Sequence, residues 1–408
     1  GTSALLVNTT GAANVAVGHL ALDANTTADN NVAIGYTALS ANTTGAGNTA
    51  IGKDALAANT TAANNVAIGM DALTANTTGA SNTAVGNDAL LASTTGTENV
   101  AVGKGALDAT GAGTDGSYNV AIGNDTLGAN TEGQFNVAVG RRAGYAITTG
   151  DENVALGYLA LYTATTASNN VAVGTSALQA NTSGTDNVAV GDRSLDANTT
   201  GNDNTAIGDN ALGANTTASE NTAVGSSALL VNTTGASNTA VGKGALDANT
   251  TADDNVAIGL AALGVNTTGH SNTSVGTYSL DANTTANDNT AMGKYSLSSN
   301  TTGASNTAIG KDSLATNTTG AQNTAVGYQA LQVNTTGSGN VSYGFESLKA
   351  NTTAANNTAI GYRSLLANTD GFSNTGLGKD AGNAITTGDN NTCLGYQAGI
   401  SGSPGGAV

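Results

Sequence analysis

The chain has 408 residues, a net charge of −17 and only 11 Lys and Arg. That balance excludes nucleic-acid binding through phosphates, and no apolar run approaches the roughly 20 residues of a membrane-spanning helix. With no Trp, 3 Phe and 56 Gly, there is too little side-chain bulk for a wide globular core.

Taken in chain order, Gly1-Thr2-Ser3-Ala4-Leu5 matches Gly174-Thr175-Ser176-Ala177-Leu178. The chain is therefore expected to start inside a repeat, as a fragment or processed product of something longer. An asparagine then recurs at Asn14, Asn31, Asn48, Asn65, Asn82 and Asn99. After a three-residue slip it runs from Asn119 in steps of 17 to Asn391, through Asn221 and Asn238. A short fixed period with 23 copies is the mark of a solenoid, one repeat per coil. The expected fold is all-β: a single parallel β-solenoid (β-roll) over residues 1–398. The extra residues near Gly111–Gly116 form a surface bulge, and 399–408, with Pro404, form a degenerate tail or linker.

Counted from the asparagine, the consensus is N-[TV]-A-[VI]-G-x-x-[AS]-L-x-A-N-T-T-[GA]-x-x. Columns two to four read as a short strand stacking in parallel on its copies. Column five is always Gly, as at Gly18, Gly35, Gly52, Gly225 and Gly395. It calls for positive φ or close backbone approach, whereas column fifteen, Gly or Ala, needs only smallness. The core is assigned to Val17 and Ile34 of column four and to Leu22, Leu39 and Leu56 of column nine. Gly144 with Ile147, and Gly382 with Ile385, exchange the usual Leu and Asn of columns nine and twelve. Apolar volume is conserved, so the two columns lie close together. The first-column asparagines are read as a stacked amide ladder that also ties the turn backbone.

Charges gather in columns six, seven, ten, sixteen and seventeen, which are therefore solvated turns. Asp253-Asp254 could hold Ca²⁺ weakly, but the calcium-coil motif is missing, and no cofactor is expected. His19 and His270 stand in variable columns with no catalytic set beside them, so no enzyme is expected. Cys393, the only cysteine, replaces a small residue and is read as buried and inert. Asn-Thr-Thr, repeated from 25–27 onward, fits either a glycosylation acceptor or a turn ladder. Its threonines, Thr26, Thr27, Thr43, Thr44, Thr60 and Thr61, form regular ranks. Such ranks resemble the surface of β-solenoid ice-binding proteins.

Columns three and four point to opposite faces of the strand, yet neither varies. Both faces are therefore expected to be covered, one by the coil and one by an identical strand of a neighbouring chain. A flat single-chain roll packed through Ala is the alternative.

Asn-Val-Ala-Ile-Gly at 31–35, 65–69 and 255–259 resembles the head repeat of trimeric autotransporter adhesins. That resemblance implies a left-handed β-roll and a homotrimer. The coil here is about three residues longer, with Leu in column nine and the Asn-Thr-Thr run added. The same repeats resemble phage tail-fibre shafts. The expected function is a non-enzymatic extracellular fibre, adhesin or virion filament. Its partners are its own copies, head-to-tail contacts, and a host-surface glycan or protein. The alternative is a monomeric solenoid that binds ice or glycans.

Overall fold

The structure, a computed structural model, describes residues 1–109 and 116–399. The expected bulge near 111–116 and the tail beyond 399 thus lie almost wholly outside the described residues. Among those described there is no α-helix. The chain divides into two units, Gly1–Asn204 and Thr205–Val408.

In the first unit eleven three-residue strands run from β1 (Val15–Val17) to β11 (Val188–Val190). Each pairs in parallel with the next, as Val15 with Val32, Ala16 with Ala33 and Val17 with Ile34. Between β6 (Val100–Val102) and β7 (Val120–Ile122) the offset is 20 residues, yet Val100 still faces Val120. The longer coil leaves the strand register unshifted. The second unit stacks twelve such strands, from β12 (Thr205–Ile207) to β23 (Thr392–Leu394), in the same way. A parallel β-solenoid of 17-residue coils is therefore the fold of each unit.

Hydrogen bonding continues around the coil beyond these strands. Leu39 N–H donates to Ala55 O at 3.0 Å, and Thr43 N–H to Thr60 O at 2.9 Å. Returning through column seventeen, Asn64 N–H donates to Ala46 O at 3.0 Å. A narrow coil has no other way to satisfy its turn backbone.

The strand alternates as a pleated backbone must, but with Ala inside. Ala33 and Ala50 are fully buried, whereas Val17 and Ile34 are 55% and 38% exposed. This corrects the assignment of column four to the core. The inner space is too shallow for a branched side chain. A Cβ on Gly376, a third-column position, already lies 2.9 Å from Leu365 Cγ of column nine. Where column three is Ser, its hydroxyl finds column eight: Ser274 Oγ donates to Ser279 O at 2.7 Å. The two walls of the coil thus pack through Ala, Ser and Leu.

Leu22, Leu39 and Leu56 are fully buried. Each holds φ between 53° and 54°, a left-handed conformation costing about 1–2 kcal/mol in a residue with a Cβ. Burying the side chain returns roughly 1.5–3 kcal/mol. Gly144 and Gly382 occupy the same conformation at φ 58° and 64°. A Cβ on Gly144 would lie 3.1 Å from Ile147 Cδ1, so columns nine and twelve do adjoin. At column five, Gly35 has φ 148° and Gly395 has φ 116°. A Cβ on Gly35 would also overlap the carbonyl of Gly52, so both reasons for glycine hold there.

Candidate interaction surface

Two amide ladders hold the corner beside the strand. Asn31 N–H donates to Asn14 Oδ1, and Asn48 N–H to Asn31 Oδ1, both at 2.9 Å. The Asn31 Nδ2 group donates to Gly45 O at 3.0 Å. The same links join Asn82 to Asn65, Asn238 to Asn221, and Asn391 to Asn374. Column twelve forms the second ladder, the turn ladder that is one of the two readings of Asn-Thr-Thr. Asn59 Nδ2 donates to Asn42 Oδ1 at 2.9 Å and to Ala62 O at 3.0 Å. Asn25 and Asn42 are fully buried, so the folded chain offers neither as a glycosylation acceptor.

Where a run of the second ladder stops, its last acceptor is stranded. The buried Oδ1 atoms of Asn76, Asn130 and Asn368 have no hydrogen-bond partner. One coil further on stand Ser93, Ile147 and Ile385 in place of Asn. The stranded atoms mark where the repeat breaks.

The threonine ranks separate into two kinds. Thr26, Thr43 and Thr60 are half-buried, and each hydroxyl donates to the next coil, as Thr43 Oγ1 to Thr60 O at 3.0 Å. Thr27, Thr44 and Thr61 are exposed. Only this second rank faces outward fully.

Acidic turns serve the scaffold in several places. Asp29, Asp151 and Asp253 accept backbone N–H groups from the preceding coil at 2.6, 2.7 and 2.7 Å. In sequence they look merely solvated, because their donors lie 17 residues away. Among the described residues no group of three His, Cys, Asp or Glu is placed to hold a metal. Glu346 accepts from Lys349 at 2.8 Å and Arg363 at 2.9 Å. Lys349 first, then Arg363, hold its carboxyl below the usual range against the opposing effect of burial. Thr37 and then Lys53 do the same for Asp54. In column ten, burial pushes the carboxyls of Asp108, Asp196, Asp247 and Asp281 upward. Burial likewise raises the Cys393 thiol, which is 5% exposed.

Aromatic side chains pair one coil apart. His19 stacks on Tyr36 at 5.2 Å, and Tyr118 on Phe135 at 5.0 Å. In the second unit Tyr328, Phe345 and Tyr362 form a column-six row with centroid spacings of 5.2 and 5.3 Å. Lys311 and Lys379 close the row, at 5.7 and 5.6 Å from its end rings. Such same-column pairs add about 0.5–1.5 kcal/mol each beyond their buried area.

One unpartnered feature is the outer strand face. Column four is Val, Ile, Leu, Met or Tyr in every coil. Exposure is 40% at Ile207, 39% at Ile258, 38% at Ile309 and 39% at Ile360. Column two, Thr or Val, lies beside it, half-buried in most coils. A second feature is an open groove of about 380 Å³ between Lys243 and Asp281, also lined by Asp247, Leu260, Val265 and Tyr278. No large side chain fills it at Gly244, Ala261 or Gly264.

Neither a family model nor a curated protein matches this chain.

Proposed function

We propose that this chain is a non-enzymatic structural segment of an extracellular filament, adhesin or phage tail fibre. It self-associates through the outer strand face as a parallel homotrimer. The left-handed coil and the three-fold assembly are carried over from the adhesin-head resemblance. The supporting observation is column four: an apolar residue in every coil, half-buried at most Val positions and about two-fifths exposed at Ile207, Ile258, Ile309 and Ile360. Continuous apolar patches beyond a few hundred Å² on a soluble protein mark an interaction surface.

The area suits a second copy. A standard interface buries about 800 Å² per partner, which over twelve coils is roughly 65 Å² per coil. One half-exposed Ile with its column-two and column-six neighbours supplies an area of that order. A parallel copy also presents the same 17-residue period, so contacts made at one coil recur at every coil.

Light scattering with native mass measurement tests this. The parent chain is expected to be trimeric. Replacing Ile207, Ile258, Ile309 and Ile360 with Ser should give a monomer with an unchanged β-rich circular dichroism spectrum. A monomeric parent chain overturns the reading.

The groove at Lys243–Asp281 favours a second reading, a monomeric glycan-binding solenoid. Its carboxylates, lysine and tyrosine could engage sugar hydroxyls. A monomeric parent that is retained on a glycan array, and released by Asp247→Ala with Asp281→Ala, would establish that reading instead.

A further inference from the structure

We propose that Tyr343 sets the axial register in which copies of this chain associate; the proposal rests on self-association through the outer strand face. A stripe of near-identical coils has an inherent ambiguity. Sliding one copy by a single coil, about 4.8 Å, replaces each contact with an equivalent one. Val against Ile discriminates weakly, because the two differ by one methylene and share a shape. Only departures from the repeat can tell one register from the next.

Tyr343 is the largest departure. In every other coil column four holds Val, Ile, Leu or Met, without a hydroxyl. Its side chain is 58% exposed, against 38% and 39% at Ile309 and Ile360. It lies two residues before Phe345, the central ring of the column-six row, and two after Val341, which is itself 37% exposed. The strand β20 (Val341–Tyr343) thus carries a bulkier outer edge than its neighbours β19 (Thr324–Val326) and β21 (Thr358–Ile360).

In register, the three Tyr343 rings share one level and each meets its own kind. A slipped copy inserts a ring into levels shaped by Val326 or Ile360, and leaves a gap at the level it vacates. Misfit then spreads over more than one level, and both overpacking and cavities destabilise. A single unlike residue in an otherwise uniform seam sets register in coiled coils by the same logic.

The test uses full-length chains with Cys393 replaced by Ala, the usual residue of its column. One chain carries Ile309→Cys, the other Val326→Cys, and the two are mixed, unfolded, refolded and oxidised. In register these positions are offset by one coil on top of the lateral gap, beyond the roughly 7 Å Cα separation a disulfide spans. Crosslinks between 309 and 326 therefore report slipped copies, and 309-to-309 crosslinks report register. With Tyr343 intact the in-register crosslink should dominate. With Tyr343→Ile in both chains the slipped fraction should rise about tenfold, a change of about 1.4 kcal/mol. Tyr343→Phe separates the ring from its hydroxyl: a fraction close to the parent assigns register to the ring, which the packing argument requires. A trimer whose slipped fraction is unchanged by Tyr343→Ile overturns the register role and leaves self-association standing. A monomeric parent overturns self-association itself, and this inference with it.

Discussion

Asn31 and Asn42 donate to the same acceptor, the carbonyl of Gly45, at 3.0 and 2.9 Å. The two amide ladders are therefore not independent. They converge on the column-fifteen carbonyl again at Ala252, where Asn238 and Asn249 both donate.

This convergence predicts a coupled double-mutant cycle. Asn31→Ala strands the Asn48 N–H, and Asn42→Ala strands one amide rung, while Gly45 O keeps one donor in each case. Each is expected to cost about 1–3 kcal/mol. Together they leave Gly45 O with neither, so the double variant should lose more than the sum, by about 1 kcal/mol. Urea denaturation measures all four proteins. Simple additivity would mean that the shared carbonyl does not join the ladders.

The two glycine columns should respond differently to alanine. Gly35→Ala meets both a disfavoured φ and the Gly52 carbonyl, and is expected to cost about 3 kcal/mol or more. Gly320→Ala keeps an ordinary φ; its Cβ would also crowd the Gly337 carbonyl and Asn317 Oδ1, a crowding that coils with Ala in column fifteen already accommodate. It also reproduces what Ala28 and Ala62 already show, an alanine flanked by glycines one coil away on each side. A loss below about 1 kcal/mol is expected at Gly320. The melting temperatures of the two variants compare them directly.

The exchanged coil at Gly144 and Ile147 should accept its consensus only as a pair. Gly144→Leu alone places a side chain against Leu127 Cδ2 and Ile147 Cδ1, and is expected to destabilise by about 1–3 kcal/mol. Ile147→Asn alone opens a cavity beside Gly144 and should also destabilise. The double variant refills the volume and gives the stranded Asn130 Oδ1 a donor. It should recover most of both losses, as read by thermal unfolding. If it does not, volume exchange is not what links the two columns.

Stability should also depend on pH in two opposed ways. Asp247 and Asp281 have folded pKa values raised by burial. Their protonated forms favour the folded state, so that stability is fully present below the unfolded value of about 3.9. It is lost as pH rises through the folded values. Asp247→Asn with Asp281→Asn should therefore stabilise the chain at neutral pH and little below pH 4. Glu346 is the reverse, with a folded value lowered by Lys349 and Arg363. Its contribution is present above about 4.3 and lost as pH falls through the folded value. Glu346→Gln should therefore destabilise at neutral pH and have little effect in strong acid. Melting temperatures at pH 3, 5 and 7 separate the two.

Much of this could be read in the repeat because each column is sampled 23 times. The invariant column-five glycine announced its backbone conformation, and the Gly144–Ile147 exchange announced a contact. The left-handed φ of the column-nine leucines left a fainter mark. Glycine is the residue that replaces Leu in both exchanged coils, and the conformation explains why as well as the volume does. The column-sixteen caps were hidden, since an Asp bonded to the preceding coil has the same composition as a solvated one.

The sequence by itself determined the period, the strand, the turn glycine and the in-register stack, because these are local geometry repeated every 17 residues. It also determined that columns three and four face opposite ways. It could not say which faces inward, since both columns are small or apolar throughout and alternation has no sign. Only the tertiary structure decided that. The opposite wall of the coil, with Leu365 and its equivalents against column three, leaves room for Ala, Ser or Cys and not for a branched apolar side chain. Val and Ile are therefore turned outward, and what a sequence reading takes for core becomes the surface that another copy can cover.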